Sequence, residues 1–161
     1  MCVAGLLDAD ILIAQSQPDI DHRVVVEIGG AFDRGVNDRV TTYGWTLAAE
    51  ATPIEGVLEL ESGFTSLGNG SQRRVAVDFL FKKPFRLSRR AEFMAGIGPE
   101  WSRLSGTVPH TTSVAAEGVL DFMFWPTTNV GWYAEPSYSF SRGGAGERSL
   151  GASAGVIIGF P

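Results

Sequence analysis

From residue 23 onward, apolar and polar residues alternate along the chain with a period of two, the signature of half-buried strands rather than helices. The stretch VGWYAEPSYSFS (130–141) is the plainest case. Val130, Trp132, Ala134, Pro136, Tyr138 and Phe140 share one face, and Gly131, Tyr133, Glu135, Ser137, Ser139 and Ser141 the other. The same rhythm runs through VVVEIGGAF (24–32), YGWTLAAEA (43–51), VLELESGFT (57–65), RVAVDFLF (74–81), AEFMAGIGPEW (91–101), VAAEGVLDFMFW (114–125) and the terminal LGASAGVIIGF (150–160). That predicts eight strands. Three connections are expected to carry a turn proline, near Pro53, Pro84 and Pro126. The other four, DRGVNDR, GNGSQR, SGTVPHTT and RGGAGER, are rich in Gly, Ser, Asn and charge. Such alternation fits an up-and-down meander whose two ends differ. Strands of this length exceed the usual five or six residues of a soluble sheet and suit a tilted bilayer span of about nine to eleven.

Alternation does not say which face is inside. A lipocalin-like soluble carrier turns its apolar row inward, whereas a membrane barrel turns it to lipid. Three features favour the second arrangement. The polar row is built of Gly, Ser and Ala with isolated carboxylates, Glu27, Glu50, Glu59, Glu61, Asp78, Glu92, Glu100, Glu117, Asp121 and Glu135, and not of the mixed charges of a wetted sheet. Rings crowd the strand ends, at Tyr43, Trp45, Phe81, Trp101, Phe124, Trp125, Trp132 and Phe140, where headgroup girdles lie in membrane barrels. The chain closes on its last strand, so pairing first strand with last would remove free edges. The expected fold is all-β, an eight-stranded antiparallel up-and-down transmembrane β-barrel. The Gly-x-Trp of a lipocalin first strand is missing, since YGW and VGW occur elsewhere.

Composition narrows the picture further. The 161 residues suffice for one domain, with 44% hydrophobic and 19% charged residues and a net charge of −5, which disfavours nucleic acid as a partner. Cys2 is the only cysteine, and there is no apolar run of 18 residues, no histidine cluster and no glycine-rich phosphate loop; no metal or cofactor is expected. Residues 1–22 form a lead-in that contains ILIAQSQ, read as the remnant of a secretory signal with Ala14 near its cleavage point, although Asp8 and Asp10 interrupt the apolar stretch. Residues 23–161 form the barrel.

The segment SAGVIIGF (153–160) resembles the C-terminal signal strand of small bacterial outer-membrane β-barrels. Ser153 supplies the polar residue, Gly155 the glycine two later, and Ile158 and Phe160 the hydrophobic positions beyond. The resemblance implies an outer-membrane location, contact with membrane lipid and lipopolysaccharide, insertion by the barrel-assembly machinery, and a monomer. Pro161 departs from the pattern, in which the chain commonly ends on Phe.

With the polar row inward, Arg23, Arg74, Lys82 and Arg90 share its parity and face ten acids. The expected result is a lumen network of Glu27, Glu50, Glu59, Glu61, Arg74, Asp78, Glu92, Glu117, Asp121 and Glu135, with Glu59 beside Glu61 and Glu117 beside Asp121 as its most crowded groups. It reads either as a path for cations or protons or as a plug of ion pairs and water. Eight strands leave little room for an open channel, which favours the plug and a structural or surface role. Catalysis finds little support. Some barrels of the resembled class modify lipid A, and a deacylase of that type would show His and Ser two residues apart on a late strand. Here His22 precedes the first strand and His110 lies in the loop TVPHTTS.

Overall fold

A computed structural model describes residues 22–106, 111–141 and 148–161. The secretory-remnant reading of the lead-in, His110 and the loop at 142–147 all lie outside the described residues. Eight strands follow in order: β1 (Val24–Gly35), β2 (Thr41–Ile54), β3 (Leu58–Gly68), β4 (Gln72–Arg86), β5 (Ala91–Gly106), β6 (Thr111–Phe124), β7 (Val130–Ser141) and β8 (Arg148–Phe160). Each pairs antiparallel with its neighbours in sequence, and β1 pairs with β8 from Val24 opposite Phe160 to Gly35 opposite Ser149. The sheet therefore closes as an up-and-down barrel with no free edge.

Two prolines expected in turns lie inside strands. Pro53 sits near the end of β2, where the register against β3 shifts between Ala51 and Ile54, as a residue without an N–H requires. Pro84 pairs with Met94 near the end of β4, and only Pro126 occupies a turn. Pro99 and Pro136 each coincide with a break in one ladder, against β4 and β6 respectively, and keep their place in the ladder on the other side. That one-sided loss follows from antiparallel pairing, in which a residue bonds to one neighbour at a time.

The start of β1 and the end of β8 share one rim with the turns 55–57, 87–90 and 125–129, the terminal end. The connections 36–40 and 69–71 lie at the opposite, loop end. Gly56 (φ 66°) and Gly70 (φ 89°) hold left-handed turn positions, and Asn69 Oδ1 accepts from the N–H groups of Ser71 and Gln72 across the second.

The apolar row faces outward. Phe79, Leu120, Phe122 and Ile158 are 36–46% exposed on the outer wall, the reverse of a lipocalin-like interior. Inside, near the terminal end, Val25, Met94, Met123, Trp125, Tyr133 and Ile157 form a small apolar plug. The glycines on the inner face of β8 let its neighbours approach closely. A Cβ at Gly155 would collide with the Ile28 carbonyl, and one at Gly159 with the His22 ring. Across from Gly155, Tyr133 lies so close to β1 that a Cβ at Gly29 would stand 2.7 Å from its hydroxyl. The bare side of the last strand is thus where an aromatic ring and the first strand close in.

Candidate functional site

The interior is organised around two cations. Lys82, on β4 and fully buried, extends its ammonium into a nest of carboxylates from four other strands. Its Nζ donates to Asp121 Oδ2 at 2.9 Å and Glu135 Oε2 at 2.7 Å, contacts Glu61, and lies 3.8 Å from Glu50 Oε2. Glu27 completes the group: carboxylate oxygens of Glu27, Glu50, Glu61 and Asp121 all lie within 4.8 Å of one another. Glu50 and Glu61 are direct cross-strand partners on the inner face, a pairing that like charges disfavour unless a cation stands between them. Lys82 is that cation.

Arg74, on the same strand towards the loop end, is the second hub. It bonds to Glu100 at 2.5 Å and to Asp33 at 3.3 Å. Asp78 lies between the hubs and accepts the Gly63 N–H at 3.0 Å, a position open only because Gly63 has no side chain. A cavity of about 60 Å³, lined by Glu27, Glu61, Asp78, Glu117, Glu135 and Arg74 among others, separates the two groups; it holds no more than a few waters.

The terminal end opens into a larger recess of about 360 Å³, walled by Glu50, Glu59, Glu92, Arg86 and Arg90 and floored by Met123 and Trp125. All ten lumen residues expected from the sequence line one of these interior spaces or stand within the Lys82 nest. Their grouping differs from expectation. Glu61 crowds with Glu50 and Asp121, while Glu59 turns to the terminal recess beside Glu92. Glu117 shares the central cavity with Glu100 and Asp78, and Asp121 reaches Lys82. Residues two apart on one strand stand farther apart than cross-strand partners, so crowding is set by register.

Of the four bases sharing inward parity, Arg74 and Lys82 are interior, whereas Arg23 and Arg90 are exposed at the terminal rim. Asp33, which pairs with Arg74, and Arg86, opposite Glu92, were not anticipated. Parity alone would have found both once the strands were extended to Gly35 and Arg86.

On the outer wall, Tyr43, Trp45, Trp101 and Phe140 lie towards the loop end, and Phe81, Phe124 and Trp132 towards the terminal end. Phe124 and Trp132 pack in a tilted pair across β6 and β7 with ring centroids 5.3 Å apart. Trp125 does not join them. It is 5% exposed, immediately follows β6, and lies inside the terminal end with its ring 4.3 Å from His22. Its backbone N–H donates to the Arg90 carbonyl, which carries the β5–β6 ladder one residue further and keeps Trp125 on the inward parity of Asp121 and Met123. His22 is fixed there by its Nε2 hydrogen bond to the Thr128 carbonyl at 2.7 Å. Of the terminal signal pattern, Ile158 and Phe160 face outward, and Ser153 and Gly155 inward.

A closed eight-stranded barrel with an apolar outer wall, ring residues towards both ends and a charged interior has the architecture of the small outer-membrane β-barrels. Solved structures of that class resemble it throughout. Neisserial surface protein A is 16% identical, with a TM-score of 0.73 over 85% of this chain and 97% of that one. OprG from Pseudomonas aeruginosa is 8% identical, with a TM-score of 0.66 over 89% and 99%. Ail, the attachment invasion locus protein of Yersinia pestis, is 12% identical, with a TM-score of 0.60 over 87% and 99%. At these identities the likeness is one of fold. No family model and no curated protein sequence matches the chain.

Proposed function

We propose that this protein is a monomeric barrel of the bacterial outer membrane with a structural or surface role, its lumen plugged by the ion network and its work non-catalytic. The observation that carries the reading is the sorting of charge: every carboxylate on the eight strands has inward parity, while the outer wall is apolar. Such a wall is costly in water and favourable against lipid tails. The loop end then faces the exterior, and the rim holding the start of β1 and the end of β8 faces the periplasm. Lys82 with its four carboxylate neighbours favours the plug over a conducting path, because an ion passing through would have to displace a fully buried ammonium held by several partners at once. Residues 1–22 act in export, and Ser153, Gly155, Ile158 and Phe160 serve as the strand that the barrel-assembly machinery engages, with membrane lipid and lipopolysaccharide as the lasting partners.

The test is membrane fractionation with heat-modifiable gel migration, followed by planar-bilayer conductance. An outer-membrane band that shifts on boiling, with no conductance above leak, is the expected result. A soluble fraction overturns the location, and steady cation conductance overturns the plug. Phe160→Ala should slow insertion in a reconstituted assembly assay; unchanged kinetics would remove the signal-strand reading.

A further inference from the structure

Lipid-facing walls of barrels are ordinarily uncharged at mid-depth, and here the charges that do face outward are all of one sign. Arg34, Arg73, Arg103 and Arg148 have outward parity and lie towards the loop end, and Lys83 lies towards the terminal end. No carboxylate shares that face among the described strand residues. Unlike Lys82 and Arg74, these cations have no acid beside them on their own wall among the described strand residues, which leaves their guanidinium and ammonium groups open to a counter-charge from the surroundings.

One of them borders a shallow, open depression. Between β2 and β5 the outer wall carries a notch of about 530 Å³. Tyr43 and Trp45, 67% and 46% exposed, form one side, Ser66 and Gly68 the floor, and Arg73 and Ser105 the other side. The register aligns them. Tyr43 is opposite Gly68, Gly68 opposite Arg73, and Arg73 opposite Ser105. Arg73 Nε donates to Ser66 Oγ at 3.2 Å, which holds the guanidinium against the outer wall while using one of its five donors. Arg103 stands two residues along β5 from Ser105, diagonal to Arg73 and on the same face.

We infer that this notch binds the phosphorylated sugar headgroup of an outer-leaflet glycolipid, with Arg73 and Arg103 on the phosphate and the faces of Tyr43 and Trp45 on the sugar. A guanidinium pair gives planar, multidentate donors for a phosphate. Exposed rings beside small hydroxyl residues suit the apolar face and hydroxyls of a pyranose, and the volume exceeds what one phosphate fills. The depth matches the headgroup level at which interfacial rings settle. The inference rests on the membrane reading above, with the loop end outward.

The test uses the full-length protein, purified folded in detergent, and native mass spectrometry against bisphosphorylated lipid A, its dephosphorylated form and phosphatidylglycerol. Wild type should bind bisphosphorylated lipid A at least ten-fold more tightly than either of the others. Arg73→Gln with Arg103→Gln should remove that preference, Trp45→Ala should weaken binding several-fold, and Lys83→Gln at the opposite end should change nothing. Heat-modifiable migration checks that each variant is folded. Equal binding by the double variant and wild type, or equal binding of the three lipids, overturns the site. A chain that never forms a heat-modifiable barrel inserted into vesicles overturns the membrane reading instead, so the two failures are told apart.

Discussion

Replacing Lys82 by methionine keeps most of the side-chain volume and removes the only ammonium in the central nest. Glu61, Asp121 and Glu135 lose a charged partner in direct contact, and Glu50 loses one at 3.8 Å. Breaking a buried ion group by deleting one partner costs about 3–5 kcal/mol. An independent route gives a similar figure, since the hydrogen bonds to Asp121 and Glu135 are each worth about 1.5–3 kcal/mol as bonds between charged groups. The expected loss is therefore about 3–5 kcal/mol, read by urea unfolding of the vesicle-inserted barrel through tryptophan fluorescence. A companion variant separates charge from packing. Lys82→Met combined with Glu61→Gln and Asp121→Asn removes two of the stranded charges while keeping their shapes, and should recover more than half of the loss. If Lys82→Met alone stays within about 1 kcal/mol of wild type, well below the cost of stranding a buried charge, the nest is not held by its ammonium and the plug has no energetic basis.

Three further outcomes follow from the same geometry. Leu47→Arg, near the middle of β2 on the outer wall, should cost about 2–4 kcal/mol in a bilayer, whereas a water-facing Leu at that exposure would tolerate the change; a neutral result in vesicles refutes the lipid-facing wall. Gly155→Val should destabilise the barrel by about 1–3 kcal/mol, because its Cβ collides with the Ile28 carbonyl, while Ala154→Val on the outer face of the same strand should be close to neutral; equal effects would mean that β1 and β8 do not close as described. Trp125→Ala should cost about 3–5 kcal/mol and loosen His22, followed by hydrogen exchange at the N-terminal end of β1; unchanged protection there would place Trp125 outside the plug.

The strands and their faces were legible because period-two alternation is a local property. Whether Glu27 or Ile28 points inward is decided by parity along β1 alone, and the scarcity of lysine and arginine between the acids told which face avoided water. Strand ends were less legible. Pro53 and Pro84 signal turns by composition, yet each sits in a strand where tertiary pairing tolerates a missing N–H. Trp125 carries the aromatic signature of a headgroup girdle, but the β5–β6 ladder continues through its bond to Arg90 and its inward parity puts it in the barrel mouth.

The sequence by itself thus determined two chemically opposite walls and assigned nearly every strand residue to one of them, since successive side chains must point to opposite faces. It could not say which carboxylates would meet. Glu50, Glu61, Lys82, Asp121 and Glu135 come from five different strands, and their meeting at one ammonium depends on the register of each ladder and on closure of β1 against β8. Those are long-range quantities, fixed when the sheet curls shut and the buried charges must find partners.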